Sequence, residues 1–165
     1  MKRLIPYILY LYLIAMYRIL LADALAIGPV QIYLTPLIVM LVALNKDYII
    51  SLWFGIAAGL IFDCIDPSHM GVQMIILSAM GIVTSRVKER FNLESQKSLV
   101  LLLATGLLIF TIPHTLIYTT SGFSEFGRIF IRVVIPGIIY STSIGWLYFM
   151  IKTSRISFHK IKELF

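Results

Sequence analysis

Trp53-Phe54-Gly55-Ile56-Ala57-Ala58-Gly59-Leu60-Ile61-Phe62-Asp63 is apolar until its last residue, an acid. The stretch lies inside a longer run, Tyr48–Ile65, with no other charge. A helix needs about 20 apolar residues, with a range of about 17 to 25, to cross the hydrocarbon core of a bilayer. The run therefore reads as a membrane-spanning helix. Gly55, Gly59 and Asp63 follow one another at four-residue steps and share one helix face. Small residues at that spacing let a second helix approach closely. That helix is either another helix of the same bundle or a helix of a partner, and the spacing alone leaves both open. An ionised carboxylate at the end of a span calls for a partner or for the interface.

The rest of the chain repeats this character. Outward from Tyr48–Ile65, apolar runs cover Leu4–Leu21, Ile27–Leu44, Met70–Ser85, Leu99–Thr119 and Ile129–Ile151. The connections are short: Asn45-Lys46-Asp47 is a turn, and Asp66-Pro67-Ser68 is another. The expected fold is an all-α integral membrane protein, a bundle of about six transmembrane helices in a single domain over residues 1–165. Composition agrees. Of 165 residues, 59% are hydrophobic and 13% charged, with a mean hydropathy of +0.93, where a soluble domain carries about 25% charged residues. The basic N-terminus and the small residues around Ala22-Asp23-Ala24 imitate a secretory signal. Arg18 interrupts the apolar run, and further spans follow, so the first helix is expected to be retained.

Charge gives orientation. With the N-terminus inside, Lys2, Arg3, Lys46, Arg86, Lys88, Arg90, Lys97, Lys152, Arg155, Lys160 and Lys162 all fall on the cytoplasmic side, as the positive-inside bias requires. The remaining basic residues, Arg18, Arg128 and Arg132, lie at or within spans. The net charge of +6 and pI of about 9.6 then express topology and not nucleic-acid binding. Six spans with both termini cytoplasmic is the expectation.

The intramembrane charges share a depth. Arg18 and Asp63 stand near the outer ends of outward-running helices, and Arg132 near the outer start of the last, with Asp23 and Asp66 in the adjoining outer loops. Charge pairing of Asp63 with Arg18 or Arg132 is expected, because a partner offsets part of the cost of burial. Pro113 precedes His114 in the fifth span, and Pro136-Gly137 is expected to kink the sixth. His114 reads as a hydrogen-bonded interior residue, and Cys64, the single cysteine, as a small packing residue. In the tail 152–165, Lys152, Arg155, Lys160 and Lys162 alternate with Ile156, Phe158, Ile161, Leu164 and Phe165. That pattern suits an amphipathic helix on anionic membrane lipid. No serine elbow, phosphate loop, zinc helix or acid pair appears, so neither an enzyme nor a cofactor or metal site is expected.

The run Gly55-Ile-Ala-Ala-Gly59-Leu60-Ile-Phe-Asp63, with Pro67-Ser68 and then Gly71, resembles the rod shape-determining protein MreD family, as do the total length and the Pro36-containing second span. The resemblance implies a non-enzymatic subunit of the bacterial inner (cytoplasmic) membrane. It would act in the cell-elongation complex, in cell-wall organisation, binding a bitopic MreC-like protein and helping couple MreB filaments to peptidoglycan synthesis, with RodA and a class B penicillin-binding protein nearby. The partner's membrane helix, or its adjoining segment, is expected to bind near the Gly55/Gly59 face. It also implies a fold similar to S components of energy-coupling-factor transporters, which supplies the alternative of a small-molecule-binding transporter subunit.

Overall fold

The computed structural model describes residues 5–22, 24–26, 30, 32–65, 67, 70–90, 96–118 and 123–162, with backbone alone at 5, 96, 97, 118, 123–125 and 152–162. The described chain is helical. Helix α1 (Ile5–Met16) continues as a π-helical turn, Tyr17–Leu21. Then come α2 (Leu34–Asn45), α3 (Tyr48–Ile65), α4 (Val72–Arg90), α5 (Gln96–Tyr118), the short α6 (Phe123–Ile129), a second π-helical turn (Phe130–Val134) and α7 (Ile135–Lys162).

Three stretches, Tyr48–Ile65, Ser98–Ile117 and Phe126–Ile151, are long and apolar enough to cross a membrane on their own. Two shorter apolar helices, Pro6–Leu21 and Leu34–Asn45, accompany them. The chain is thus a helical protein with the lengths and composition of a membrane bundle. The third span lies where the sequence puts it, at Tyr48–Ile65.

The second expected span, Ile27–Leu44, is corrected to a helix beginning only at Leu34. Pro36 is the reason. Proline has no N–H and is tolerated only in a helix's first turn, so a helix through Ile32 and Pro36 would strand the Ile32 carbonyl. That carbonyl instead accepts the Tyr17 hydroxyl at 2.6 Å. The neighbouring Tyr33 N–H donates to the Ser141 hydroxyl at 2.8 Å, which in turn donates to the Gly137 carbonyl at 2.7 Å. Non-helical backbone inside a bundle is tolerated where other protein groups satisfy it, and side chains of the π-helical turn after α1 and of α7 do so here.

Helix α2 is the centre of the bundle. Thr35 to Met40 and Val42 to Leu44 are all buried, and α2 touches α1, α3, α4, α5 and α7. At about 1.5 Å per residue it spans only about 18 Å. Neighbouring helices surround its middle, while its last residue, Asn45, is exposed. Leu37, Val39 and Met40 pack with Leu77 of α4 and Leu103 and Leu107 of α5 in one continuous core.

Just before Pro136-Gly137, where a kink is expected, the helix has a π-helical turn, Phe130–Val134. Pro136 cannot donate to the Arg132 carbonyl, and the ladder widens there.

Candidate functional site

The face marked by Gly55 and Gly59 is a seam with α4, not a seat for a foreign helix. A Cβ at Gly55 would fall 2.7 Å from the Leu77 carbonyl oxygen and 2.7 Å from Ser78 Cα. One at Gly59 would meet Met74 Cα and stand 2.6 Å from Met74 N. The seam continues at Gly81, where a Cβ would sit 2.8 Å from the Ser51 carbonyl oxygen. At its far end the Ser85 hydroxyl donates to the Lys46 carbonyl at 3.5 Å. The α3–α4 pair is the most extensive helix contact in the molecule. Both glycines are buried in it, so the expectation of partner-helix packing at Gly55 and Gly59 gives way to internal packing.

Asp63 closes this seam at the C-terminal end of α3. It is fully buried, and its carboxylate accepts three backbone N–H groups: Gly71 at 2.9 Å, Gln73 at 3.3 Å and Met74 at 3.3 Å. The first N–H groups of a helix have no partner within it, and the positive end of the helix dipole sits there. Asp63 therefore caps α4 from the preceding helix. Gly71, at φ +93°, takes the left-handed conformation that brings its N–H round to the acid. Only glycine enters that region without steric cost.

The expected ion pairs are not formed: among the described residues no salt bridge joins Asp63 to Arg18 or Arg132. Three backbone donors at the start of the next helix already compensate the carboxylate. Arg132 is exposed, in the turn before α7. Asp23 and Asp66 lie outside the described residues.

Arg18 does reach the third helix, one residue from Asp63. Its guanidinium carbon lies 4.0 Å above the Phe62 ring centroid. Phe62 meets His114 of α5 edge-on, with centroids 6.1 Å apart, and His114 packs on Phe110 at 5.6 Å. Together with Tyr17, Tyr33 and Thr35 these side chains enclose a cavity of about 90 Å³. A cation on an aromatic face is stabilised by about 0.5–2 kcal/mol. The fastening of first to third helix is thus cation–π where a salt bridge was expected. Phe62 carries no charge signal, which is why its part was hidden in the sequence.

Cys64 is exposed and does not pack. At the opposite end of α3, Arg86 stands 4.7 Å over the Tyr48 ring and pairs with Glu89 at 4.0 Å on the exposed side of α4.

Between α5 and α7 an open cleft of about 260 Å³ is lined by Val100, Ala104, Ile138, Ile139, Thr142, Ser143 and Trp146. Ile139 and Trp146 are exposed. Helix α7 extends to Lys162. The side chains of Lys152, Arg155, Lys160 and Lys162, the expected basic tail, lie outside the described residues. In comparisons with known proteins the chain matches no family model, no curated protein and no solved structure.

Proposed function

We propose that the chain is a non-enzymatic subunit of a bacterial cell-elongation complex of the MreD kind. In this reading it crosses the inner membrane six times with both termini cytoplasmic, binds an MreC-like bitopic protein, and belongs with MreB, RodA and a class B penicillin-binding protein. One observation carries the proposal. The residues on which the resemblance rests, Gly55, Gly59, Asp63 and Gly71, act as a single unit, with the glycines seating α4 and the acid capping it through Gly71. A motif spent on building a rigid helix pair suits a scaffold.

With the glycine face filled from within, the partner's helix needs another surface. The α5–α7 cleft supplies one, since Ala104 and Ser143 are small enough for close backbone approach and Ile139 and Trp146 flank them. The transporter-subunit alternative is less well supported. A polar ligand needs converging polar groups in a pocket of about 300–1,000 Å³; the cavity that gathers Arg18, Tyr33 and His114 has only about 90 Å³, and the larger spaces along α1 are open apolar grooves.

The test is affinity co-purification of the full chain with the MreC-like protein of the same bacterium. Recovery of the complex is expected, with Ala104→Trp and Ser143→Trp reducing it several-fold while thermal unfolding of the subunit alone stays unchanged. Failure of the unaltered chain to recover the partner, even after crosslinking in the membrane, would overturn the proposal. Full recovery with both tryptophan variants would move the seat away from the α5–α7 cleft.

A further inference from the structure

Two apolar grooves flank the N-terminal half of α1 and open at the same place. One, of about 470 Å³, runs between α1, α2 and α7 past Tyr10, Leu13, Leu41 and Tyr148. The other, of about 690 Å³, runs between α1 and α3 past Leu11, Ile49, Trp53 and Ala57. Both are bounded by Pro6, Tyr7 and Lys46. Lys46, in the turn between α2 and α3, is exposed, and its ammonium lies 5.9 Å from the Tyr7 ring centroid. Among the described residues no carboxylate is paired with it, and its neighbour Asp47 lines neither groove. In the sequence, Lys2 and Arg3 stand just before Pro6.

We infer that this arrangement is a binding site for one anionic diacyl phospholipid. Its phosphate would sit at Lys46 and its two acyl chains would lie in the two grooves, one on each side of α1. The chemistry of the mouth selects the occupant. Two separate apolar channels meeting at one cation match two hydrocarbon chains joined at one negative headgroup, whereas a partner helix is a single rod and would leave one channel open. Both volumes fall in the range of real ligand sites. Tyr7, Tyr10 and Tyr148 place amphipathic rings in the grooves, as aromatic residues do at the level of lipid headgroups. The inference needs only that the chain lies in a bilayer, and stands or falls apart from any elongation complex.

The chain has two tryptophans. Trp53 lines the α1–α3 groove, and Trp146 the distant α5–α7 cleft. In a Trp146→Phe variant of the full chain, Trp53 is the sole indole. It lies roughly 10 Å along the helix from Lys46, within reach of bromine atoms placed partway down a lipid chain. The variant is to be held in phosphatidylcholine nanodiscs and titrated with dibrominated phosphatidylglycerol or dibrominated phosphatidylcholine. Phosphatidylglycerol should quench Trp53 at about five-fold lower mole fraction, the effect of one basic residue at an anionic headgroup. Lys46→Gln should abolish that preference, and Lys46→Arg should keep it. Equal quenching by the two lipids, no quenching by either, or an undiminished preference in Lys46→Gln would each overturn the inference.

Discussion

At the scale of single residues, Asp63 changes the meaning of an acid in a span. Sequence shows a carboxylate that needs a counterpart, and the obvious counterparts are arginines. The structure satisfies it with the Gly71, Gln73 and Met74 amides. A periodic pattern names the face a residue lies on but not the neighbour across from it, so Asp63's face was legible and its partner was not. Asp63→Ala should therefore destabilise the protein by about 1–3 kcal/mol, since buried donors are left unpaired. Asp63→Asn, which keeps an acceptor oxygen, should lose less. Arg18→Gln combined with Asp63→Asn should add the two losses, measured by thermal unfolding in detergent. Recovery in the double variant would restore the ion-pair picture. Gln73 is the reverse case. It is fully buried, and neither atom of its side-chain amide has a hydrogen-bond partner. Replacing an orphaned amide with an apolar group of similar size is neutral to stabilising, so Gln73→Leu should leave the unfolding midpoint unchanged or raise it. A fall in the midpoint would mean that a buried water or partner satisfies the amide.

Among elements, the α3–α4 pair was half legible. Four-residue spacing announced a face open to close approach, and the short turn at Pro67 made the next helix a natural occupant. What the sequence lacked was α4's own register, since Gly81 and Ser78 do not stand out in an otherwise mixed helix. Gly55→Ala and Gly59→Ala should each destabilise by about 1–3 kcal/mol, the usual range for overpacking, because the added methyl meets α4 backbone and not a movable side chain. Gly127→Ala is the control. Nothing lies within 4 Å of the added atom, so it should gain about 0.5–1 kcal/mol from helix propensity alone. Equal behaviour of all three would refute the tight seam. Helix α2 was misjudged at its start for a different reason. Apolar runs report burial, and Ile32 is apolar because the bundle buries it, not because it is helical. Pro36 was the available signal, read with the rule that its fourth-preceding carbonyl goes unserved.

For the molecule as a whole, the proposed topology has α3 begin at the cytoplasmic face and end at the outer one. Its two ends carry different chemistry, Lys46 and Arg86 at one and Arg18, Asp63 and Gly71 at the other. In intact cells, a cysteine replacing exposed Pro67 in a Cys64→Ser background should react with a membrane-impermeant maleimide. One replacing exposed Asn45 should react only after permeabilisation. The reverse labelling would invert the topology and take the basic tail away from the anionic inner leaflet. The cap on α4 also bears on how the chain enters the membrane. When α3 leaves the ribosome first, its acid has no donors, because the amides that receive it belong to residues not yet synthesised. Asp opposes insertion of a lone span, by about 2.5–3.5 kcal/mol at mid-helix and by less near the end, where Asp63 stands. Helix α3 is thus expected to wait at the translocation channel and partition into lipid as a hairpin with α4. In a nascent chain halted shortly after Asp63, a crosslinker placed in α3 should still capture the translocation channel, and in one long enough to expose α4 it should capture lipid instead.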